Sequence, residues 1–145
     1  MMALDIAIII FIIMEVANVV ILYFAPDSKK GNGVAVFNNW FKAKEDEASG
    51  LFVKYMTNWV AGVKLIAILL LLVILFTGTE ITKLLAVLAM IISISSYYFG
   101  LHPLITKLDA RGEVSPPGYS KTLRRMITGF MFMFACAAIV YLFIR

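Results

Sequence analysis

The sequence predicts an all-α membrane protein, a four-transmembrane-helix antiparallel bundle with short interfacial helices in loops one and three. Three observations predict it. Of 145 residues, 62% are apolar. The mean hydropathy is +0.94. The apolar residues gather in four runs, each close to the roughly 20 residues that a helix needs to cross a hydrocarbon core. With 13 basic and 9 acidic residues, the chain does not suit a soluble globule, a disordered segment, a coiled coil or a nucleic-acid-binding module. A single cysteine, Cys136, excludes an internal disulfide, and the lone His102 far from it excludes a conventional zinc site.

The runs are Ala3 to Phe24, Met56 to Phe76, Ile81 to Leu101 and Met126 to Ile144, together one transmembrane domain over residues 1–145. Each is read as a helix, because a lone strand cannot satisfy its backbone in lipid. The first run lacks a basic leader and a small-x-small cleavage site, so it is read as a span rather than a signal peptide. Loop one carries Lys29, Lys30, Lys42, Lys44 and Lys54, and loop three carries Lys107, Arg111, Lys121, Arg124 and Arg125. Only Lys83 and Arg145 fall on the other side, with Lys64 inside a span. The positive-inside rule then places both loops in the cytoplasm and both termini outside, in the plasma (inner) membrane if the source is prokaryotic. The net charge of +4 needs no acidic partner, since basic residues that set orientation account for it.

The loops carry local signals. Gly31-Asn32-Gly33 is a turn, and Val34, Phe37 and Phe41 then share one helical face flanked by Trp40. That pattern predicts a short amphipathic helix on the membrane surface, with Lys42 to Glu47 as its solvated end. In loop three, Pro103 opens a second short helix whose Leu104, Ile105 and Leu108 face lipid, and Gly112 ends it. Ser115-Pro116-Pro117-Gly118 is a stiff turn, and Ser120 is the expected N-cap of the fourth helix. Lys121, Arg124 and Arg125 follow on one face at headgroup level. They suit cations that anchor the helix, or a site for an anionic lipid or substrate.

Polar residues within the spans are costly and face protein or water. Counting the helix rise from the loop side, Glu15 lies about 13 Å deep, Lys64 and Ser93 about 12 Å, and Cys136 about 15 Å. A lower layer holds Asn18 at about 9 Å, Ser96 at about 7 to 8 Å and Tyr97 at about 6 Å, with Asn58 less well aligned. Glu15 and Lys64 are therefore expected to pair. Such a pair either fixes helix register or forms a proton or cation site, within one chain or between subunits. In the third helix, Thr82, Ala86, Ala89, Ser93, Ser96 and Gly100 recur at spacings of 4, 3, 4, 3 and 4. This small-residue seam predicts that the third helix is the central packing helix, inside the bundle or at a subunit interface. The fourth helix, rich in Phe130, Phe132, Phe134, Tyr141 and Phe143, is expected to face lipid, with Cys136 as a resting buried thiol. The methionines fill gaps, and His102 at the boundary is an amphipathic anchor or a pH-sensitive group.

Two architectures are similar in part. The chain resembles the small multidrug-resistance transporters in having four spans and a glutamate midway along the first, at Glu15. It has longer loops than they do, and it adds Lys64. It also resembles the membrane-associated eicosanoid and glutathione enzymes in length, span number and outside termini. Their second helix opens with a basic residue four before an asparagine, as Lys54 and Asn58 do here. The carboxylate of that pattern falls on Ala61, and loop three is longer than the pattern has it. Both likenesses are of architecture.

No Gly-rich phosphate loop, nucleophile elbow or histidine cluster is present, so no metal or cofactor is expected and catalysis is not the favoured reading. The favoured expectation is transport or conduction of a proton, small cation or cationic solute at Glu15, Lys64, Asn18 and Ser93. A membrane enzyme or binder for an anionic amphiphile would instead use Lys54, Arg124 and Arg125. A structural or assembly subunit is the third expectation. The partners expected are the bilayer, an anionic lipid, and further copies of the chain or other subunits of a membrane complex, with no nucleic acid.

Overall fold

A computed structural model describes residues 2–30 and 33–143. Four helical segments in it are long and apolar enough to cross a membrane. The first is α1, Met2–Phe24. A 3-10 turn, Val34–Val36, leads to the short α2, Asn38–Ala43. Then comes α3, Glu47–Thr77. The third crossing is interrupted: α4, Glu80–Ser95, is followed by α5, Tyr97–Gly100, and α6, His102–Ala110. The fourth is α7, Tyr119–Phe143. Gly31, Asn32 and Ile144 lie outside the described residues.

Local chemistry sets these limits. The Asp46 carboxylate accepts the Ser49 amide and starts α3 nine residues before the apolar run at Met56. At 31 residues, α3 is about 46 Å long, well beyond the roughly 30 Å of a hydrocarbon core, so its first turns stand clear of it. It ends at Gly78, where a Cβ would lie 2.4 Å from the Ile74 carbonyl oxygen. Thr79 then accepts the Thr82 amide and starts α4. The turn between α3 and α4 is thus two residues long, and the pair is antiparallel.

Serine hydroxyls break the third crossing. Ser95 Oγ donates to the Ile92 carbonyl and Ser96 Oγ to the Ser93 carbonyl, both at 2.7 Å, competing with the helical ladder. Pro103 lacks the amide that would have bonded the Phe99 carbonyl. Gly112, at φ +71, ends α6. The α7 N-terminus is capped from a distance. Asp109 accepts the Gly118 amide at 2.9 Å, the Ser120 amide at 3.0 Å and the Ser120 hydroxyl. Ser120, expected as the cap, instead lies inside the first turn as a donor, because α7 starts at Tyr119.

The bundle is organised around α1, which packs mainly on α3 and α7, while α4 packs mainly on α7. The main core joins Leu4, Ala7, Ile8 and Phe11 of α1 to Ala61 and Ile68 of α3, Val87 of α4 and Phe134 of α7. The Phe11 ring meets Phe130 edge-on at 5.3 Å and Phe134 at 5.4 Å. Outward faces keep Ile13, Trp59, Leu69 and Phe132 exposed, a distribution suited to acyl chains rather than water.

Three expectations about faces are corrected. On α4 the buried residues are Lys83 and Val87. Among the seam, Ala86 is half-buried while Thr82, Ala89, Ser93, Ser96 and Gly100 are exposed. The seam therefore does not lie inside the bundle, and α1 rather than the third crossing is central. The aromatic fourth helix does not face lipid throughout: Phe134, Ala137, Ala138 and Tyr141 are buried and Cys136 is half-buried, while Phe132 and Phe143 stay exposed. In lipid, packing follows shape more than polarity, so a large ring that fits a groove goes inward.

The loops also turn toward protein. Phe37 and Val114 form an antiparallel bridge, flanked by Asn38 N to Glu113 O at 3.0 Å and Ser115 N to Val36 O at 2.8 Å. Lys42 reaches Glu113 at 2.8 Å. A second core of Val36, Tyr97, Ile105, Val114, Tyr119 and Leu123 closes this loop face. Ile105 and Trp40 are thus buried in protein, Leu108 packs against this core, and Phe41 and Leu104 remain outside. The loops bury these side chains against one another because the bridge brings two apolar segments together.

Candidate functional site

Helices α1 and α4 both start at the face bearing the Gly78–Thr79 turn, and α3 ends there. Counted from that face, Glu15 of α1, Ser93 of α4 and Lys64 of α3 are each the fourteenth residue of their helix. Helix rise is fixed, so the three sit at one depth. Lys64 Nζ donates to Glu15 Oε2 at 2.6 Å, with the side chains 26% and 20% exposed. The pair sits near the middle of α1 and α3, where a separated charge would cost several kcal/mol.

Glu15, Lys64, Ser93, Ser96 and Tyr97 line one cavity of about 330 Å³. Its other walls are apolar, including Phe11, Met90 and Ile127. It occupies the gap between α3 and α4, which touch each other little, and α1 forms its floor. The Tyr97 hydroxyl lies 3.3 Å from His102 Nδ1, so the lower wall continues into the loop-face core. Asn18 is 7% exposed. It lines two neighbouring cavities, one of about 310 Å³ shared with Lys64 and Thr57 and one of about 90 Å³ shared with Glu15 and Met126. The pair is thus flanked by hollow space on both sides of α1.

The remaining sequence candidates lie elsewhere. Asn58 lines a separate cavity at the loop face together with Lys54, and its carbonyl accepts the Tyr23 hydroxyl at 3.3 Å. Lys121, Arg124 and Arg125 are exposed on the first turns of α7 and contribute nothing to the Lys54 cavity. Among the described residues, no group of His, Cys, Asp and Glu could hold a metal ion.

Two charge clusters escaped the sequence reading. Lys83, buried, sits 2.7 Å from Asp5 and 3.5 Å from Glu80. Asp5 and Lys83 are each the fourth residue of their parallel helices, a depth match that the sequence does carry once both starts are known. At the loop face, Asp27 accepts from Lys44 and, at 2.6 Å, from the Trp40 indole. The Lys44 ammonium also lies 4.8 Å from the centre of the Trp40 ring. The Lys44 hydrogen bond, then that of Trp40, holds the Asp27 carboxyl below its usual range.

No protein-family model, no curated protein and no solved structure matches this chain.

Proposed function

We propose that this small multi-pass membrane protein moves a proton or small cation across the bilayer, with Glu15 as the binding carboxylate and Lys64 as its resident counter-charge. One observation carries the proposal: a directly bonded Glu15–Lys64 pair at mid-helix depth faces a cavity shared with Ser93, Ser96 and Tyr97. Ionisable groups at such depth mark ion and proton routes more often than in soluble proteins. The pair is neutral as a unit; when a cation takes the ammonium's place at Glu15, the displaced Lys64 ammonium either turns to the oxygens of Ser93, Ser96 and Tyr97 in the same cavity or releases its proton. The flexible stem of Lys64 allows the ammonium to move along the cavity wall. Ser93 and Asn18 supply uncharged hydrogen-bonding groups beside it. Transport requires two states that differ in this contact. In this reading the lysine- and arginine-rich loops are cytoplasmic. The outward small-residue face of α4 then receives a neighbouring helix, from a second copy or another subunit.

Reconstitution tests it. Vesicles containing the protein should acidify under an imposed proton gradient and potential, and Glu15→Gln should abolish that flux while leaving the fold intact. Lys121→Ala and Arg124→Ala should leave the flux in place. A second reading, a static assembly subunit, is favoured by the Asp5–Lys83–Glu80 cluster and the bridged loops, which brace both ends of the bundle. Wild-type vesicles with neither proton nor alkali-cation flux above protein-free vesicles would sink transport and favour that reading.

A further inference from the structure

The largest of the cavities described lies outside the spans' midplane. It encloses about 360 Å³ between the end of α1, α2 and the first turns of α3, within the size range of small-molecule sites. Leu22, Leu51 and Pro26 form its apolar wall, and Tyr23 and Trp40 line it with the rings favoured at membrane interfaces. Its rim carries Lys44, Asp46, Glu47 and Lys54. Two of these are engaged: Lys44 with Asp27, and Asp46 with the Ser49 amide. Neither Lys54 nor Glu47 makes an ion pair among the described residues. They are two turns apart on one face of α3, about 10 Å along the axis, too far to pair directly. Lys54 is level with Phe24 at the end of α1, whereas Glu47 stands about 10 Å further from the bilayer centre.

That arrangement has a polarity: Leu22 lies nearest the bilayer centre, the Lys54 cation about a turn further out, and Leu51 and then the Glu47 anion beyond it. We propose that this cavity binds a zwitterionic phospholipid of the phosphoethanolamine class. Its phosphate meets Lys54, its ammonium meets Glu47 past Leu51, and its glycerol and upper acyl chain lie along Leu22. A purely anionic headgroup would bring no cation to Glu47 and would meet Asp46 and Glu47 with like charge. A choline headgroup cannot donate hydrogen bonds to the Glu47 carboxylate.

Trp40 reports on the site, because it is 5% exposed in the protein and lines the cavity. In the Trp59→Phe variant it is the remaining tryptophan, since the chain has two. That variant would be reconstituted in phosphatidylcholine vesicles containing increasing fractions of lipid brominated high on one acyl chain. Brominated phosphatidylethanolamine should quench Trp40 saturably, be displaced by its unbrominated form, and outcompete phosphatidylglycerol and phosphatidylcholine. Lys54→Gln and Glu47→Gln should each weaken that preference about two- to fivefold. Equal quenching by the three lipids would mean annular lipid only and would overturn the proposal. So would a preference for phosphatidylglycerol that Glu47→Gln leaves unchanged. The competition in the Trp59→Phe protein stands without either rim variant. Its outcome is independent of whether Glu15 carries flux.

Discussion

Replacing Lys64 with methionine keeps the apolar stem and removes the ammonium that Glu15 bonds at 2.6 Å. At that distance two unit charges attract by about 6 kcal/mol at an effective dielectric constant of 20. Desolvation of both groups offsets most of this. Breaking a fully buried pair from one side costs about 3–5 kcal/mol. Here each side chain keeps a fifth to a quarter of its surface exposed, and polar contacts inside membranes are worth about 0.6 to 1.7 kcal/mol. We therefore expect Lys64→Met to cost about 2 kcal/mol and Glu15→Gln about 1.5 kcal/mol, because glutamine still accepts a bond from the lysine. The double variant leaves no stranded charge and should cost about 1 kcal/mol, giving a coupling of about 2 to 3 kcal/mol. Dodecyl-sulfate-driven unfolding in mixed micelles, followed by circular dichroism, measures all four corners of this cycle. Additive losses, with the double variant near the sum of the singles, would show that the two charges do not meet.

Phe134→Ala should cost about 3–5 kcal/mol in the same assay, whereas Phe132→Ala, two residues away and exposed, should stay within about 0.5 kcal/mol. Reversed costs would contradict the inward placement of α7. Asp109→Ala removes the carboxylate that caps α7 and should cost about 1–2 kcal/mol, with Ser120→Ala costing clearly less. Equal losses would return the capping role to Ser120. Asp27 titrates lower when folded than its ordinary 3.8, so its clamp on Lys44 and Trp40 is fully present above that pH. The contribution falls away as pH drops through the lower folded value. Trp40 emission in the Trp59→Phe protein should therefore hold steady from neutral pH down to about 4 and shift below it. A shift already complete at pH 6 would rule out Asp27 as the cause.

The spans were legible because lipid imposes a length and a composition on any helix that crosses it. The common depth of Glu15, Lys64 and Ser93 was legible too, since rise per residue does not depend on packing. Rotation about the helix axis was not. A span is apolar on its inner and outer faces alike, so periodicity did not say that Phe134 points inward or that Ala89 and Gly100 point outward. Of the seam, Ser93 and Ser96 border the cavity beside Glu15 and Lys64, while Thr82, Ala89 and Gly100 are exposed along the third crossing. Lys83 entered only the count of charges that sets orientation, and the parallel starts of α1 and α4 are what put it beside Asp5. The bridge between Phe37 and Val114 joins two loops distant in sequence, and no local turn signal encodes such a pairing.

Proton movement by the proposed route requires the Glu15 carboxylate to take up and give up a proton beside Lys64. Infrared difference spectroscopy of the reconstituted protein during a pH jump reads this at the group itself. A protonated-carboxyl band should appear in step with vesicle flux and disappear in Glu15→Gln. Proton flux with no carboxyl band, or a band that persists in Glu15→Gln, would contradict it.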